Sequence, residues 1–185
     1  MQVELSSALE SLRSSQLILY PTDTVWGIGC DATNSNAVAK VFQLKNREES
    51  KSLVILVSSL EMLSEYINDI PNSVLEILAA IKKPTTVIYN NPKGLAHNTI
   101  ADDHTIAIRI PTHEFCIQLI ELLGKPIVST SANISGGTTP KSFSEISQPI
   151  LDGVDYVVNL EREKIAQKSS TILKVNGDDI EVIRA

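Results

Sequence analysis

QLILYPTDTVWGIG, residues 16–29, passes within a few positions from an apolar run to a polar segment that contains glycine. Residues 16–20, apolar from Leu17 to Tyr20, predict a buried strand, because a short apolar run bounded by turn residues is typical of one. A proline and two glycines then interrupt regular structure: Pro21, Gly27 and Gly29. We therefore expect segment 21–29 to be a loop that follows the strand.

The side chains of this loop are candidates for ligand contacts. Open α/β sheets bind ligands beyond the carboxyl ends of their strands, which is where the loop lies. The hydroxyls of Thr22 and Thr24 suit a polar substrate, and Trp26 would form an apolar wall beside it. The alternative is a structural turn that buries the tryptophan, because two glycines separated by one residue are a weak signal for a binding loop.

Helices and strands are interspersed along the rest of the chain. Apolar spacing and capping signals predict helices near the N-terminus, after Asn34 or Ser35, over 59–67 and 72–83, from Thr112 to Leu123 with Gly124 closing it, and from Ser142 to before Pro149. Further strands are predicted at 53–57, 85–89, 105–110, 127–130, 156–160, 170–175 and 180–185. The elements do not alternate strictly, so we expect a mixed twisted sheet flanked by helices, and one domain over residues 1–185.

Composition narrows the class of protein. The chain has 185 residues, of which 43% are hydrophobic, and this content suffices for a packed core. No apolar run approaches the roughly 20 residues that cross a bilayer, and the acidic N-terminal segment is unlike a signal peptide. We expect a cytoplasmic protein with no membrane partner and with reduced thiols at Cys30 and Cys116. A net charge of −6 and the lack of a long basic run argue against nucleic acid as its main partner.

Three cations lie close together between a predicted helix and the next predicted strand: Lys45, Arg47 and Lys51. An arginine fork matches phosphate oxygens, and a lysine ammonium acts as a compact point charge. The cluster is therefore a candidate phosphate site. The alternative is that Lys45 interacts with the dipole of its own helix and that the other two charges are solvated.

Two further segments are candidates at strand ends. Arg109 alternates with isoleucines in TIAIRIP, so its guanidinium points either into a ligand cleft or into water. The segment STSAN, Ser129 to Asn133, combines small hydroxyls with backbone amides that can hold an anion. An ordinary polar loop is the alternative for that segment.

Several common chemistries lack their signatures in this chain. There is neither a G-x-S-x-G nucleophile elbow nor a Walker A loop. The adjacent residues Asp102, Asp103 and His104 do not have the spacing of a metal site, so we expect no tightly bound protein metal. Mg²⁺ carried by a nucleotide remains compatible with this expectation.

Five blocks in order are similar to the YrdC-like family of threonylcarbamoyl-AMP synthases. They are YPTDTVWGIGCDA (20–32), LKNREESKSLVILV (44–57), TIAIRIP (105–111), GKPIVSTSANISG (124–136), and SSTILKV (169–175) with VIRA (182–185). The resemblance implies a nucleotidyltransferase that condenses L-threonine, bicarbonate and ATP to threonylcarbamoyl-AMP and pyrophosphate. Other proteins would then transfer the threonylcarbamoyl group to adenosine 37 of tRNAs.

The resemblance also implies roles for individual residues. It implies that Lys45 and Arg47 are catalytic. Around L-threonine it implies Thr24, Arg109, Ser129 and Ser170, and the loop adds Thr22. Around ATP, with Mg²⁺, it implies Arg47, Lys51, Thr105, Ser131, Asn133, Thr139 and Arg184.

The chain departs from the family pattern at three places. Glu48 replaces the proline that usually follows the K-x-R arginine, KKPTT replaces W-P-G-P, and Trp26 replaces a tyrosine or phenylalanine. These departures leave carbamoyl-adenylate chemistry on another amine open as an alternative. The resemblance leaves a second one open, a non-catalytic module that binds double-stranded RNA or tRNA.

Overall fold

Two mixed β-sheets with helices packed against them make up the computed structural model, which describes residues 1–48, 53–81, 83–166, 169–177 and 179–185. The helices are α1 (Gln2–Arg13), α2 (Ser35–Lys45), α3 (Leu60–Tyr66), α4 (Asn72–Ala80), α5 (Glu114–Leu123) and α6 (Gln148–Gly153). The strands are β1 (Ile18–Tyr20), β2 (Gly27–Gly29), β3 (Val54–Leu56), β4 (Thr85–Asn90), β5 (Thr105–Arg109), β6 (Ile127–Val128), β7 (Thr130–Ser131), β8 (Tyr156–Val157), β9 (Thr171–Asn176) and β10 (Asp179–Arg184).

Both sheets contain parallel and antiparallel pairs. The smaller has the order β7-β2-β1-β8 and the larger the order β10-β9-β4-β5-β3-β6. Strand β1 runs parallel to β8, β3 to β5, and β4 to β9, whereas the other pairs are antiparallel. The predicted mixed α/β class is confirmed, with the difference that the strands form two sheets rather than one.

Strand β1 is buried on both of its faces. Successive side chains in a strand point to opposite sides, and here Ile18 and Tyr20 join the apolar cluster under α1 and α5. Leu19 joins the larger cluster, which contains the inner side of α2 and the apolar residues of β4 and β5. This explains why residues 17–20 are continuously apolar rather than alternating.

The glycine segment that was predicted to be loop is partly a strand. Gly27–Gly29 pairs antiparallel with β1, in the register Tyr20 to Gly27 and Ile18 to Gly29. A Cβ at Gly29 would lie 2.6 Å from Cε1 of Tyr20 and 2.7 Å from the carbonyl oxygen of Val128. The prediction of an irregular loop was wrong here, because the glycine serves close packing within a sheet rather than a turn.

Local capping signals were right at two helix ends and wrong at a third. Asn34 caps α2, and its Oδ1 accepts from the amides of Asn36 and Ala37. Gly124 ends α5 in the left-handed conformation, with φ at +68°. Thr112 does not cap α5, because His113 holds the N-cap position without a side-chain bond.

Two other predicted boundaries need correction. The predicted strand 127–130 is divided at Ser129, so that β6 belongs to the larger sheet and β7 to the smaller. The predicted helix after Ser142 is a short 3₁₀ turn, and α6 follows it with Pro149 in its first turn. A proline is tolerated in a first turn because an amide there has no partner within the helix.

Within the described residues, no helix combines the length and apolar character needed to cross a membrane.

Candidate active site

A cleft of about 300 Å³ opens where the two sheets meet. Three arginines line it, namely Arg47, Arg109 and Arg184. Hydroxyl side chains make up much of the remaining wall, among them Thr24, Thr86, Ser129, Ser131, Thr139 and Ser170. None of the described residues that line this cleft is an aspartate or glutamate. The cleft therefore suits an anionic ligand.

The cleft continues into a neighbouring cavity. This second cavity has a volume of about 490 Å³ and shares Thr24 and Ser169 with the first. Small-molecule sites commonly have volumes of about 300–1,000 Å³. The two spaces together are large enough for a nucleotide and a second small substrate.

Arg109 lies at the carboxyl end of β5 with its guanidinium fixed by two partners. Its Nη2 lies 3.3 Å from Oδ1 of Asp23, and both side chains are at least 94% buried. Its Nη1 donates to Oγ1 of Thr24 over 3.0 Å. Its Nε is buried and has no hydrogen-bond partner among the described residues. The guanidinium is thus held in place while keeping donor capacity for a ligand.

The loop between β1 and β2 is held by its own hydroxyls. Oγ1 of Thr22 donates to the carbonyl of Val25 over 2.7 Å and accepts from the amide of Thr24 over 3.1 Å. The Oγ1 atoms of Thr22 and Thr24 are 3.0 Å apart. Oδ2 of Asp23 accepts from the amide of Thr112, which ties the loop to the segment before α5.

Ser170 lies between two cleft residues from different strands. Its hydroxyl is 2.9 Å from Oγ1 of Thr86 on β4. Its carbonyl oxygen accepts from Nε and Nη2 of Arg184 on β10, over 3.0 and 2.7 Å. The last strand therefore fixes the backbone position of Ser170 at the wall of the cleft.

The end of α2 directs Arg47 into the cleft. Asn46 adopts the left-handed conformation with φ at +50°, and the amide of Arg47 donates to the carbonyl of Phe42. This is the arrangement that commonly reverses the chain at a helix end. Partial burial lowers the pKa of the Arg47 guanidinium.

Lys45 does not reach the cleft. Its side chain is 1% exposed, and its Nζ donates to the backbone carbonyls of Ser131 and Asn133. Burial, together with the nearby charge of Arg47, lowers its pKa to about 8. The ammonium therefore holds the backbone of the turn after β7 in place through these hydrogen bonds.

The STSAN segment, residues 129–133, is also held by the side chain of its own asparagine. Nδ2 of Asn133 donates to the carbonyls of Ile134 and Gly137, over 3.0 and 2.8 Å. The asparagine side chain is thus used to close its own loop, while the hydroxyl of Ser131 lines the cleft.

A comparison with known protein families identifies the family of this chain. A sequence profile of the Sua5/YciO/YrdC family, described as Telomere recombination, matches residues 10–185. The chain belongs to the Sua5/YciO/YrdC family. The resemblance inferred from the five sequence blocks is confirmed.

Individual members of the Sua5/YciO/YrdC family match over most of the chain. The putative threonylcarbamoyl-AMP synthase of Methanocaldococcus jannaschii is 34% identical over 177 residues, which cover 95% of this chain and 82% of that protein. The threonylcarbamoyl-AMP synthase of Pyrococcus abyssi is 31% identical over 163 residues, which cover 87% of this chain and 48% of that protein. The chain thus spans about half the length of that relative.

A solved structure from the same archaeon has the same fold. The crystal structure of Pyrococcus abyssi Sua5 complexed with L-threonine superposes with a TM-score of 0.86 at 26% identity. The match covers 97% of this chain and 53% of the Sua5 chain. The fold predicted from the family resemblance is confirmed.

Most residues that the Sua5/YciO/YrdC resemblance assigned to substrates come together. Those that line the cleft are Thr24, Arg47, Arg109, Ser129, Ser131, Thr139, Ser170 and Arg184. Their individual roles stay predictions. Lys51 lies outside the described residues.

Four assigned residues do not line the cleft. Three of them contact residues that line the cleft or lie next to such residues in the chain. Thr22 bonds to Thr24, Lys45 to the carbonyl of Ser131, and Asn133 to the carbonyl of Ile134. The catalytic role predicted for Lys45 stays a prediction, and in the structure its ammonium holds backbone carbonyls of the segment that carries Ser131.

Thr105 is the fourth residue, and it is the only one of the four that is remote. It begins β5, whose other end is Arg109, so about 13 Å of strand separates the two. Its Oγ1 donates to Oδ1 of Asp103 over 2.6 Å. Thr105 does not line the cleft, and its assignment to the nucleotide stays a prediction.

Trp26 is a core residue rather than a wall of the cleft. Its indole is buried, and its ring centroid lies 5.0 Å from that of Phe143. The alternative reading of a structural turn with a buried tryptophan holds for this side chain.

The sequence did not predict two residues that form part of the site. Thr86 looked like an ordinary strand residue, but the register of β4 against β5 places it opposite Arg109. Asp23 lies in the segment predicted to be a loop, and its carboxylate pairs with Arg109. A carboxylate flanked by two threonines was the available signal for a partner of the cleft arginine.

Proposed function

We propose that residues 1–185 form one catalytic unit that makes L-threonylcarbamoyl-AMP from L-threonine, bicarbonate and ATP, with pyrophosphate as the second product. The observation that carries the proposal is the buried Arg109, held by Asp23 and Thr24 in a cleft that two other arginines line. A fixed fork of donors suits a carboxylate, and separate cations suit a triphosphate. The names of the relatives supply the particular substrates.

L-Threonine would bind with its carboxylate at Arg109 and with the hydroxyls of Ser129 and Ser170 around it. Arg109 ends β5, Ser129 directly follows β6 and Ser170 directly precedes β9, and all three line the cleft. A carboxylate and a side-chain hydroxyl that leave water both require partners. The arrangement offers a fork of donors and small hydroxyls at one end of the cleft.

ATP would use the two remaining arginines and the turn after β7. Arg47 and Arg184 supply positive charge, and Ser131 and Thr139 supply hydroxyls. Mg²⁺ would enter with the triphosphate as part of the substrate. The described residues of the cleft offer hydroxyls but no carboxylate, so phosphate oxygens and water would be the main ligands of the ion.

The chemistry requires positioning more than a protein nucleophile. The amine of threonine and bicarbonate give a carbamate and water. A carbamate oxygen then forms a bond to the α-phosphorus while the bond to pyrophosphate breaks. Such transfers depend on aligned reactants and on stabilised charge. Arg47 would neutralise charge that moves onto the leaving pyrophosphate.

The product would be passed on in the cytoplasm. A mixed carbamic–phosphoric anhydride reacts with water, so a protein that transfers the threonylcarbamoyl group to tRNA would have to use the product before it hydrolyses. Direct binding of double-stranded RNA or tRNA is the non-catalytic alternative, and the net charge of −6 disfavours it.

Release of pyrophosphate from ATP tests the proposal. We expect release that requires both L-threonine and bicarbonate, with serine a weaker substrate and valine a very poor one, because valine leaves polar groups of the pocket unpaired. Release supported equally by another amine would favour different carbamoyl-adenylate chemistry. No release, with salt-dependent RNA binding, would instead favour the RNA-binding module.

A further inference from the structure

The hydroxyl protons of Thr22 and Thr24 have fixed directions. Oγ1 of Thr22 lies 2.7 Å from the carbonyl oxygen of Val25. A carbonyl oxygen only accepts, so the single proton of Thr22 lies in this bond. The two threonine Oγ1 atoms are 3.0 Å apart. The proton between them must therefore come from Thr24.

Thr24 consequently has no proton left for a ligand. Its hydroxyl donates to Thr22, and one of its lone pairs accepts from Nη1 of Arg109 over 3.0 Å. A hydroxyl has one proton and two lone pairs. What Thr24 still offers to the cleft is a single lone pair, so a ligand group that meets it has to be a donor.

An acceptor and a donor thus stand side by side in the wall of the cleft. Arg109 can only donate, and its Nε has no hydrogen-bond partner among the described residues. Thr24, bonded to the same guanidinium, can only accept. The complementary ligand carries a hydrogen-bond acceptor next to a hydrogen-bond donor. The carboxylate and the α-amine of an amino acid have this arrangement.

We infer that Thr22 is a positioning residue that makes Thr24 a hydrogen-bond acceptor for the α-amine of the amino acid substrate. This inference rests on the proposed function and deepens it, since it states how the site distinguishes the amine. The amine keeps an N–H after it has become a carbamate, so the same acceptor serves substrate and intermediate.

Two substitutions at position 22 separate this role from a purely structural one. Thr22→Val keeps the shape and removes the hydroxyl, which frees the proton of Thr24 to point at the ligand. Thr22→Ser keeps the hydroxyl and loses a methyl group. Thr22→Ala replaces the valine variant if that protein does not fold, as judged by circular dichroism and thermal unfolding.

Two ligands then serve as probes in calorimetric titrations. L-Threonine presents an ammonium group, which only donates, whereas (2S,3R)-2,3-dihydroxybutanoate presents a hydroxyl, which donates or accepts. In Thr22→Val we expect the affinity for L-threonine to fall roughly tenfold more than the affinity for the dihydroxy acid. Thr22→Ser should keep the selectivity of the wild type.

Equal losses for both ligands in Thr22→Val, or a serine variant that behaves like the valine variant, would overturn the inference and leave the proposed function intact. A folded wild-type protein that binds no L-threonine and releases no pyrophosphate would overturn the proposed function, and the inference with it. Binding of L-threonine by the wild type distinguishes the two failures.

Discussion

Arg184 holds the carbonyl oxygen of Ser170 with two donors, Nε at 3.0 Å and Nη2 at 2.7 Å. Ser170 directly precedes β9 and Arg184 ends β10, so both lie at the open end of this hairpin, and both line the cleft. The family resemblance assigned Arg184 to ATP alone. The structure shows that its guanidinium also fixes the segment that carries a proposed threonine contact.

Arg184→Gln should therefore weaken the use of both substrates. Loss of a hydrogen bond made by a charged group costs about 1.5–3 kcal/mol, or roughly 10- to 150-fold in affinity. We expect the KM values for ATP and L-threonine both to rise in a pyrophosphate-release assay. Arg13→Gln is a matched control, because exposed Arg13 also donates to a backbone carbonyl, that of Leu122. A normal KM for L-threonine in Arg184→Gln would contradict the prediction.

Arg109→Ala should affect L-threonine far more than ATP. The substitution removes the proposed partner of the carboxylate and leaves Asp23 buried without its cation, which costs about 3–5 kcal/mol of stability. We expect the KM for L-threonine to rise at least about 100-fold, with a much smaller change for ATP. Arg109→Lys retains a cation for Asp23 and still lacks the planar fork, so it separates binding from stability. Equal effects on both substrates in Arg109→Lys would argue against a carboxylate site.

The pH dependence of stability should reveal the buried amine of Lys45. Its pKa falls from 10.5 in the unfolded chain to about 8 in the folded protein. Between these values the unfolded state binds more protons, so the contribution of Lys45 to the free energy of unfolding rises with pH from 8 to 10.5. The rise should be roughly 3 kcal/mol. Below the folded pKa the contribution is constant.

Urea unfolding of the wild type and Lys45→Met across this pH range measures that difference. Subtracting the variant cancels the other titrating groups, including Cys30 and Cys116, whose thiol pKa values burial raises. At every pH the variant should also leave the carbonyls of Ser131 and Asn133 without their donor. A pH-independent difference between the two proteins would show that the amine keeps its ordinary pKa.

Two glycines on the same strand should respond differently to alanine. At Gly29 a Cβ meets backbone at 2.7 Å and a tyrosine ring at 2.6 Å, so Gly29→Ala should cost about 1–3 kcal/mol of stability. At Gly27 the nearest atom is the hydroxyl of Ser129 at 3.2 Å. Gly27→Ala should keep the thermal stability and reduce the activity, because it displaces a cleft hydroxyl. The reverse pattern, read by thermal unfolding and pyrophosphate release, would contradict the assignment of Ser129 to the site.

Features that depend on nearby residues were predictable from the sequence. Asn34 caps α2 because its side chain reaches amides two and three residues ahead. Gly124 ends α5 because it tolerates a positive φ. Strand β1 was recognisable from the apolar run at residues 17–20, although the strand itself begins at Ile18. In each of these cases the deciding interaction lies within one or two turns of the chain.

Features that depend on distant segments were not predictable in the same way. The role of Lys45 follows from carbonyls that are 86 and 88 residues away. Thr86 becomes a cleft residue only through its register with β5. Thr112 looked like a helix cap, yet its amide donates to Asp23, 89 residues earlier. The resemblance to a family identified the residues of the cleft, and the structure showed which of them face it.

The division of residues 127–130 between two strands makes the cleft sensitive to the length of the chain. Ser129 alone connects β6 in one sheet to β7 in the other. With one residue between them, the Cα atoms of Val128 and Thr130 can lie at most about 7 Å apart, so the separation of the two strands at this point is limited by chain length. Inserting or deleting a single residue there would exchange the faces of every side chain in one of the two strands. The cleft is therefore specified by a count of residues as well as by their identity, and a length change that spares every cleft residue would still abolish it.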